Sequence, residues 1–206
     1  MSEINDDRRT PERRGPRKVV AYSLISLDGV AEEPGNWMFE VDPEVYTFLG
    51  SIIGGQDDVL LGRGTYDYWV DYWPASDVEP FASFINTTPK HVFTSTSLDK
   101  PWHGSQVADL PLERYVHTLR AGEGRDIGVH GSISLFGSLL AHDLIDELHL
   151  VVVPTVAGNG ARLFPHGLDR PIRLTCTHQS TAPSGTHFLT YARTATRSTH
   201  PGGSGP

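Results

Sequence analysis

The run IGVHGSISLFGSLL, residues 127–140, holds a strand, a glycine turn and a helix without interruption. Ile127–His130 reads as a strand, Gly131 breaks it, and Ser132–Ala141 follows with a capping hydroxyl and apolar residues at helical spacing. LLGRGTYDYW, residues 60–69, repeats the pattern: Asp58–Leu61 is a short buried strand, Gly62-Arg63-Gly64-Thr65 a turn, and a helix continues through Trp69. Outward from these two junctions the alternation continues. Val19–Ser26 is an apolar strand ended by Asp28-Gly29. Asp42-Pro43 reads as an N-cap with proline first in the helix, and Val45, Phe48, Leu49, Ile52 and Ile53 carry that helix to Gly54-Gly55. Val78–Ile85 and Leu112–Leu119 are further helices, and His91–Thr94 and Glu147–Val153 further strands. Ile172–His178 and Thr186–Ala192 form a closing antiparallel pair across Ala182–Gly185. Strands alternating with helices imply an α/β fold: a mostly parallel central sheet, helices on both faces, antiparallel strands at the C-terminal edge.

The 206 residues carry 25 Asp and Glu against 17 Lys and Arg, a formal net charge of −8. So acidic a chain lacks the basic surface that supplies phosphate affinity to nucleic-acid binders. No run of about 18 apolar residues occurs, so no membrane span is expected. The polar N-terminus has no apolar signal core, which points to a cytoplasmic protein. One cysteine, Cys176, excludes an internal disulfide and a multi-cysteine zinc site. Residues 1–17 and 194–206 are nearly devoid of apolar side chains and are expected to be disordered tails around one domain, 18–193. Without them the body holds 11 bases and 21 acids, a net −10.

Ligands of open α/β sheets bind beyond the carboxyl ends of the strands, and three such ends stand out. The first is Gly62–Thr65. Helix-start N–H groups hold anions, and Arg63 is the first base after Lys18, following eight acids. The alternative is a helix capped by Thr65 and a surface arginine paired with one of those acids. The second is Thr94-Ser95-Thr96-Ser97, hydroxyls suited to a phosphate or simply a polar turn. The third is His130-Gly131-Ser132-Ile133, where Gly131 permits close approach, Ser132 caps the helix, and His130 is either a catalytic group or a packed neighbour. His142, Asp143, Asp146, Glu147 and His149 straddle a helix-to-strand junction and should point apart, so no metal is expected. No Walker motif and no G-x-G-x-x-G after the first strand is present.

Together with SLISLDGV (23–30), GNW (35–37), FTSTSL (93–98), LIDELHLVVVPTVAGNGARLF (144–164) and THFLTYAR (186–193), these junctions resemble the dihydrofolate-reductase-like superfamily, and within it the reductase domain of riboflavin biosynthesis. The resemblance spans the whole body. It implies NADPH as hydride donor, with Gly62, Arg63 and Thr65 on the cofactor phosphates, and Thr94 and Ser95 near the 2′-phosphate. It implies His130, Gly131, Ser132 and Ile133 under the pyrophosphate, in a turn where many relatives have Gly-Gly instead of His130-Gly131. Asp28, Gly29 and Trp37 would lie on the substrate side. Asp42, or His130, would be the candidate proton donor, although Asp42 as an N-cap would give its carboxylate to backbone N–H groups. Val153 stands where folate reductases carry a threonine, which speaks against folate. Arg162 and Arg170 are the late bases available for a substrate phosphate. The expected activity is NADPH-dependent reduction of a small heterocyclic or carbonyl compound. The alternative is a nucleotide-binding regulatory protein of the same fold without catalysis. A homodimer is expected, from the apolar strand His149–Val153 and the closing strands.

Overall fold

The computed structural model describes residues 15–164, 168 and 170–194. One eight-stranded sheet runs in the order β4-β3-β2-β5-β1-β6-β8-β7. In chain order the elements are β1 (Val19–Ser26), α1 (Pro43–Ile53), β2 (Gln56–Gly62), α2 (Arg63–Tyr72), α3 (Phe81–Thr87), β3 (Lys90–Phe93) and β4 (Ser105–Val107). Then come α4 (Leu112–Ala121), β5 (Asp126–Val129), α5 (Ile133–Ala141), β6 (Glu147–Val153), β7 (Leu174–Thr181) and β8 (His187–Arg193). Strands β1 to β6 pair in parallel, and β8 runs antiparallel to both β6 and β7.

Strand alternation divides the core into two layers. Leu60, Ile127, Val129, Val19 and Ala21 pack beneath α4 and α5, against Val116, Leu135 and Leu139. Val59 and Leu61, one step along β2, face the other way onto Tyr66 and Val70 of α2 and Phe81 and Ile85 of α3. Beside them Val151, Val153 and Phe188 pack under Val45 of α1 and Trp37.

Several expectations need correcting. Arg17, assigned to the tail, belongs to the body: its side chain is 6% exposed and its guanidinium pairs with Asp57 and Asp58. The rest of residues 1–14 and 195–206 lie outside the described residues. Helix α3 starts at Phe81, not Val78, because Pro80 disfavours a helical conformation at Glu79 before it. Strand β4, only Ser105–Val107, has no apolar pattern to announce it. Strand β6 is not an open face: it lies between β1 and β8 with His149–Val151 and Val153 buried, so the chain itself covers it. Of the two sheet edges, β4 and β7, β7 is the longer and is exposed along nearly its whole length. No helix among the described residues is long and apolar enough to cross a membrane.

Candidate active site

Strands β3, β2, β5 and β1 are consecutive in the sheet, so their carboxyl ends stand side by side. The three stretches singled out in the sequence therefore meet. The Gly62 amide donates to the Gly131 carbonyl at 2.9 Å. A Cβ on Gly62 would stand 2.9 Å from Ser132 Cβ, and one on Gly131, at φ +132°, 2.7 Å from Thr65 Oγ1. Only glycine lets the two turns approach this closely. Gly62, not Thr65, is the N-cap of α2, and no side chain caps that helix. Ser132 caps α5 as expected, its Oγ accepting from the Leu135 amide. The Gly131–Ser132 peptide is cis. Two helix N-termini thus open onto one place, α2 with no side-chain cap, and this fits an anionic pyrophosphate cofactor.

Arg63 joins the third stretch to the first two. Its Nε donates to both Asp67 oxygens at 2.7 Å, NH1 to Thr96 Oγ1 and the Ser97 carbonyl, and NH2 to Asp99. The acids that neutralise it are not the eight that precede it. Asp67 lies one helical turn ahead on α2, the spacing at which side chains meet, while Asp57 and Asp58 are taken by Arg17. Arg63 therefore clasps the loop after β3 to the start of α2. Within that loop Thr94 Oγ1 accepts from the Thr96 amide at 3.1 Å, and Ser95 stands between them.

On the far side, Asp28 is engaged within the chain. Ser26 Oγ donates to its carboxylate at 2.7 Å, and the Ala157 and Gly158 amides at 2.9 and 3.0 Å. The Ser26 hydroxyl first, then the Ala157 amide, hold its pKa down at about 2. Arg162 Nε donates to the Asp28 carbonyl, so the GNGAR segment is fastened to the end of β1. Gly29 makes the intervening turn at φ +81°. Trp37 is a core residue, 3% exposed, with its indole N–H on the Glu32 carbonyl. Asp42 sits at the N-cap position of α1 but does not cap it: its backbone carbonyl takes the Val45 amide, which leaves the carboxylate to accept from Ser184 Oγ at 2.5 Å. Arg170 pairs with Asp143. Of the His142–His149 group, His142, Asp143 and Asp146 diverge to Glu113, to Arg170 and Arg193, and to Arg120, whereas Glu147 and His149 meet at 2.8 Å, contrary to expectation, with Lys18 on the other Glu147 oxygen.

His130 ends β5 with its ring turned to the α1 and α3 side of the sheet. Its ring centroid lies 6.4 Å from Tyr22, 5.3 Å from Phe81 and 5.6 Å from Phe84. Phe48 of α1 stands 6.5 Å beyond Tyr22. Tyr22, Phe48, Phe84 and His130 are each only partly buried, so this group of rings reaches the surface beside α1 and α3. His130 Nε2 lies 2.7 Å from Gln56 Oε1. Burial among these rings pushes the imidazole pKa down to about 3 and the Tyr22 phenol up. His130 is thus neutral near pH 7. Tyr22, Phe48, Phe84 and Gln56 were not singled out from the sequence. Three are apolar or aromatic residues indistinguishable from core, and Gln56 meets His130 across 74 positions of chain.

The fold is shared with solved structures. A protein of Shewanella sp. PV-4 named for riboflavin biosynthesis superposes with a TM-score of 0.72 at 19% identity, over 86% of this chain and 99% of that one. Dihydrofolate reductase of Enterococcus faecalis, in complex with NADP(H), superposes with a TM-score of 0.58 at 18% identity, over 85% and 96%. The uncharacterized protein YyaP of Bacillus subtilis is 28% identical over 184 residues, 85% of this chain and 94% of YyaP. The model of the RibD C-terminal domain matches residues 17–188, from the buried Arg17 to Phe188 of β8. The sheet with its glycine junctions is therefore that of the dihydrofolate-reductase-like fold, and the chain belongs to the RibD C-terminal domain family.

Proposed function

We propose that this protein is an NADPH-dependent reductase of a small heterocyclic or carbonyl compound. The observation that carries this reading is the junction of Gly62–Thr65 with Gly131–Ile133 through the Gly62 to Gly131 hydrogen bond. It sets the α2 and α5 N-termini against one another, and Arg63 draws Thr94–Ser97 to the same place. NADPH would supply a hydride. Gly62, Arg63, Thr65, Ser132 and Ile133 would hold its phosphates, with Thr94 and Ser95 at the adenosine end. A reductase of known structure with this fold, that of E. faecalis, is in complex with NADP(H). The group of rings beside His130 would take the acceptor. The proton that balances hydride addition would come from water, directly or relayed through the Asp42 carboxylate at the start of α1.

The test is titration with NADPH, followed by quenching of the four tryptophans, and then NADPH oxidation across a panel of pterins, pyrimidines and carbonyl compounds. Saturable quenching and turnover of at least one compound are expected. No quenching and no oxidation would refute the reading. The non-catalytic alternative draws on the engagement of Asp28 and Asp42 by other groups of the chain. It predicts saturable binding without turnover of any compound.

A further inference from the structure

Gln56 is 1% exposed, at the start of β2, yet its side chain reaches the opposite end of β5. Gly128 makes this possible. A Cβ there would stand 2.7 Å from Gln56 Cδ and 2.8 Å from His130 Nε2. The amide therefore lies across a bare strand position and ends on the imidazole. An amide oxygen only accepts, so with Gln56 Oε1 turned to the ring the facing nitrogen, Nε2, would carry the ring proton. The other nitrogen, Nδ1, is then a bare lone pair. It makes no hydrogen bond among the described residues and is not among their enclosed unpaired atoms. Gln56 Nε2, in contrast, is enclosed and unpaired. A buried glutamine with one unmet donor is costly, by about 1–3 kcal/mol. The one side-chain hydrogen bond that Gln56 makes among the described residues is with His130.

We propose that His130, oriented by Gln56, is a specificity-determining residue of this group of rings: its Nδ1 accepts a hydrogen bond from an N–H of a flat heterocyclic substrate lying against Tyr22, Phe48 and Phe84. This rests on the reductase reading for the word substrate, and on the group of rings alone for the contact. The surroundings decide the chemistry of the ligand. Partly exposed aromatic rings favour a planar partner. A neutral imidazole with its proton turned inward favours a donor and disfavours a carbonyl, whose oxygen would meet another lone pair.

Histidine tautomers are read directly from ring-nitrogen chemical shifts in 15N-histidine-labelled protein. In the free protein, His130 should show protonated Nε2 and bare Nδ1. Uracil, cytosine and pterin, each with N–H donors, should move the Nδ1 resonance. 1,3-Dimethyluracil, which has none, should not. His130→Phe keeps a ring among its neighbours and should weaken binding of the responding heterocycle about tenfold. Gln56→Leu should release the tautomer and bring an Nδ1–H population into view. A protonated Nδ1 in the unaltered protein overturns the proposal. So does an Nδ1 resonance that none of the three donors moves, or one that 1,3-dimethyluracil moves equally. The tautomer measurement needs no cofactor. Loss of NADPH binding would therefore remove the reductase reading while leaving the His130 contact to be judged separately.

Discussion

At the residue scale, Gly62 and Gly131 were legible because glycine after a strand and before a helix has few other reasons to be there. Each Cβ would strike a residue of the opposite turn. Gly131→Ala should cost about 1–3 kcal/mol, combining positive φ with overpacking, and should lower NADPH affinity. Gly64, which has open space at its Cβ, should tolerate alanine in both respects. Chemical denaturation and tryptophan quenching measure the two. His130 adds a pH dependence. Its folded pKa of about 3 lies below the ordinary 6.5, so under acid conditions the unfolded chain binds a proton that the folded one refuses. Stability is then full above about pH 6.5 and falls as pH drops toward 3, by up to about 1.4 kcal/mol per unit. Asp28 acts with the same sign but in a lower window, from its ordinary 3.8 down to about 2. Urea midpoints at about pH 7 and about pH 5 should therefore separate the native protein from His130→Phe, whose loss on acidification is smaller. An equal loss would show that His130 is not the responsible group.

At the element scale, local signals placed β1, α1, α2 and β6 within a residue or two to three of their ends, since each has apolar spacing and a breaker of its own. The short β4 has neither, and is a strand only because β3 offers it a parallel edge. The loop after β3 illustrates a further limit. Its hydroxyls were visible, but Arg63 reaches Thr96, Ser97 and Asp99 across more than thirty residues, and only the β2–β3 pairing brings them near. Arg63→Ala should free this loop from α2. The ion pairs it removes are largely exposed on the acidic side, 50% for Asp67 and 78% for Asp99, so the stability cost should stay within about 1 kcal/mol. NADPH affinity should fall about tenfold or more, because one cation and the loop are lost together. Unchanged affinity would remove Arg63 from the cofactor site.

At the scale of the whole molecule, the buried Arg17 belongs with the body and makes its net charge −9. An anionic cofactor gains nothing from so acidic a surface at long range, so affinity must come from the junction itself. Raising the salt from about 0.05 to about 0.5 M should change NADPH affinity only a few-fold. The homodimer expected from β6 and the closing strands is now proposed at one closing strand, β7. Strand β6 is covered within the chain, whereas β7 is an edge of eight residues, Leu174–Thr181, with no Asp, Glu, Lys, Arg or Pro to discourage pairing. Light scattering should give twice 22.6 kDa. Thr177→Pro on that edge should give the monomer with NADPH binding retained.

The sequence by itself determined the alternation of strands and helices, the two glycine junctions and the acidic balance. These are local or additive properties, set by side-chain spacing, backbone freedom and composition. The tertiary structure alone decided that β5 lies between β2 and β1. That placement makes Gly62 a partner of Gly131 and sets His130 on Gln56, while Asp57 and Asp58 go to Arg17. Such pairings depend on strand order, and strand order is settled by which faces of the whole sheet can be buried at once.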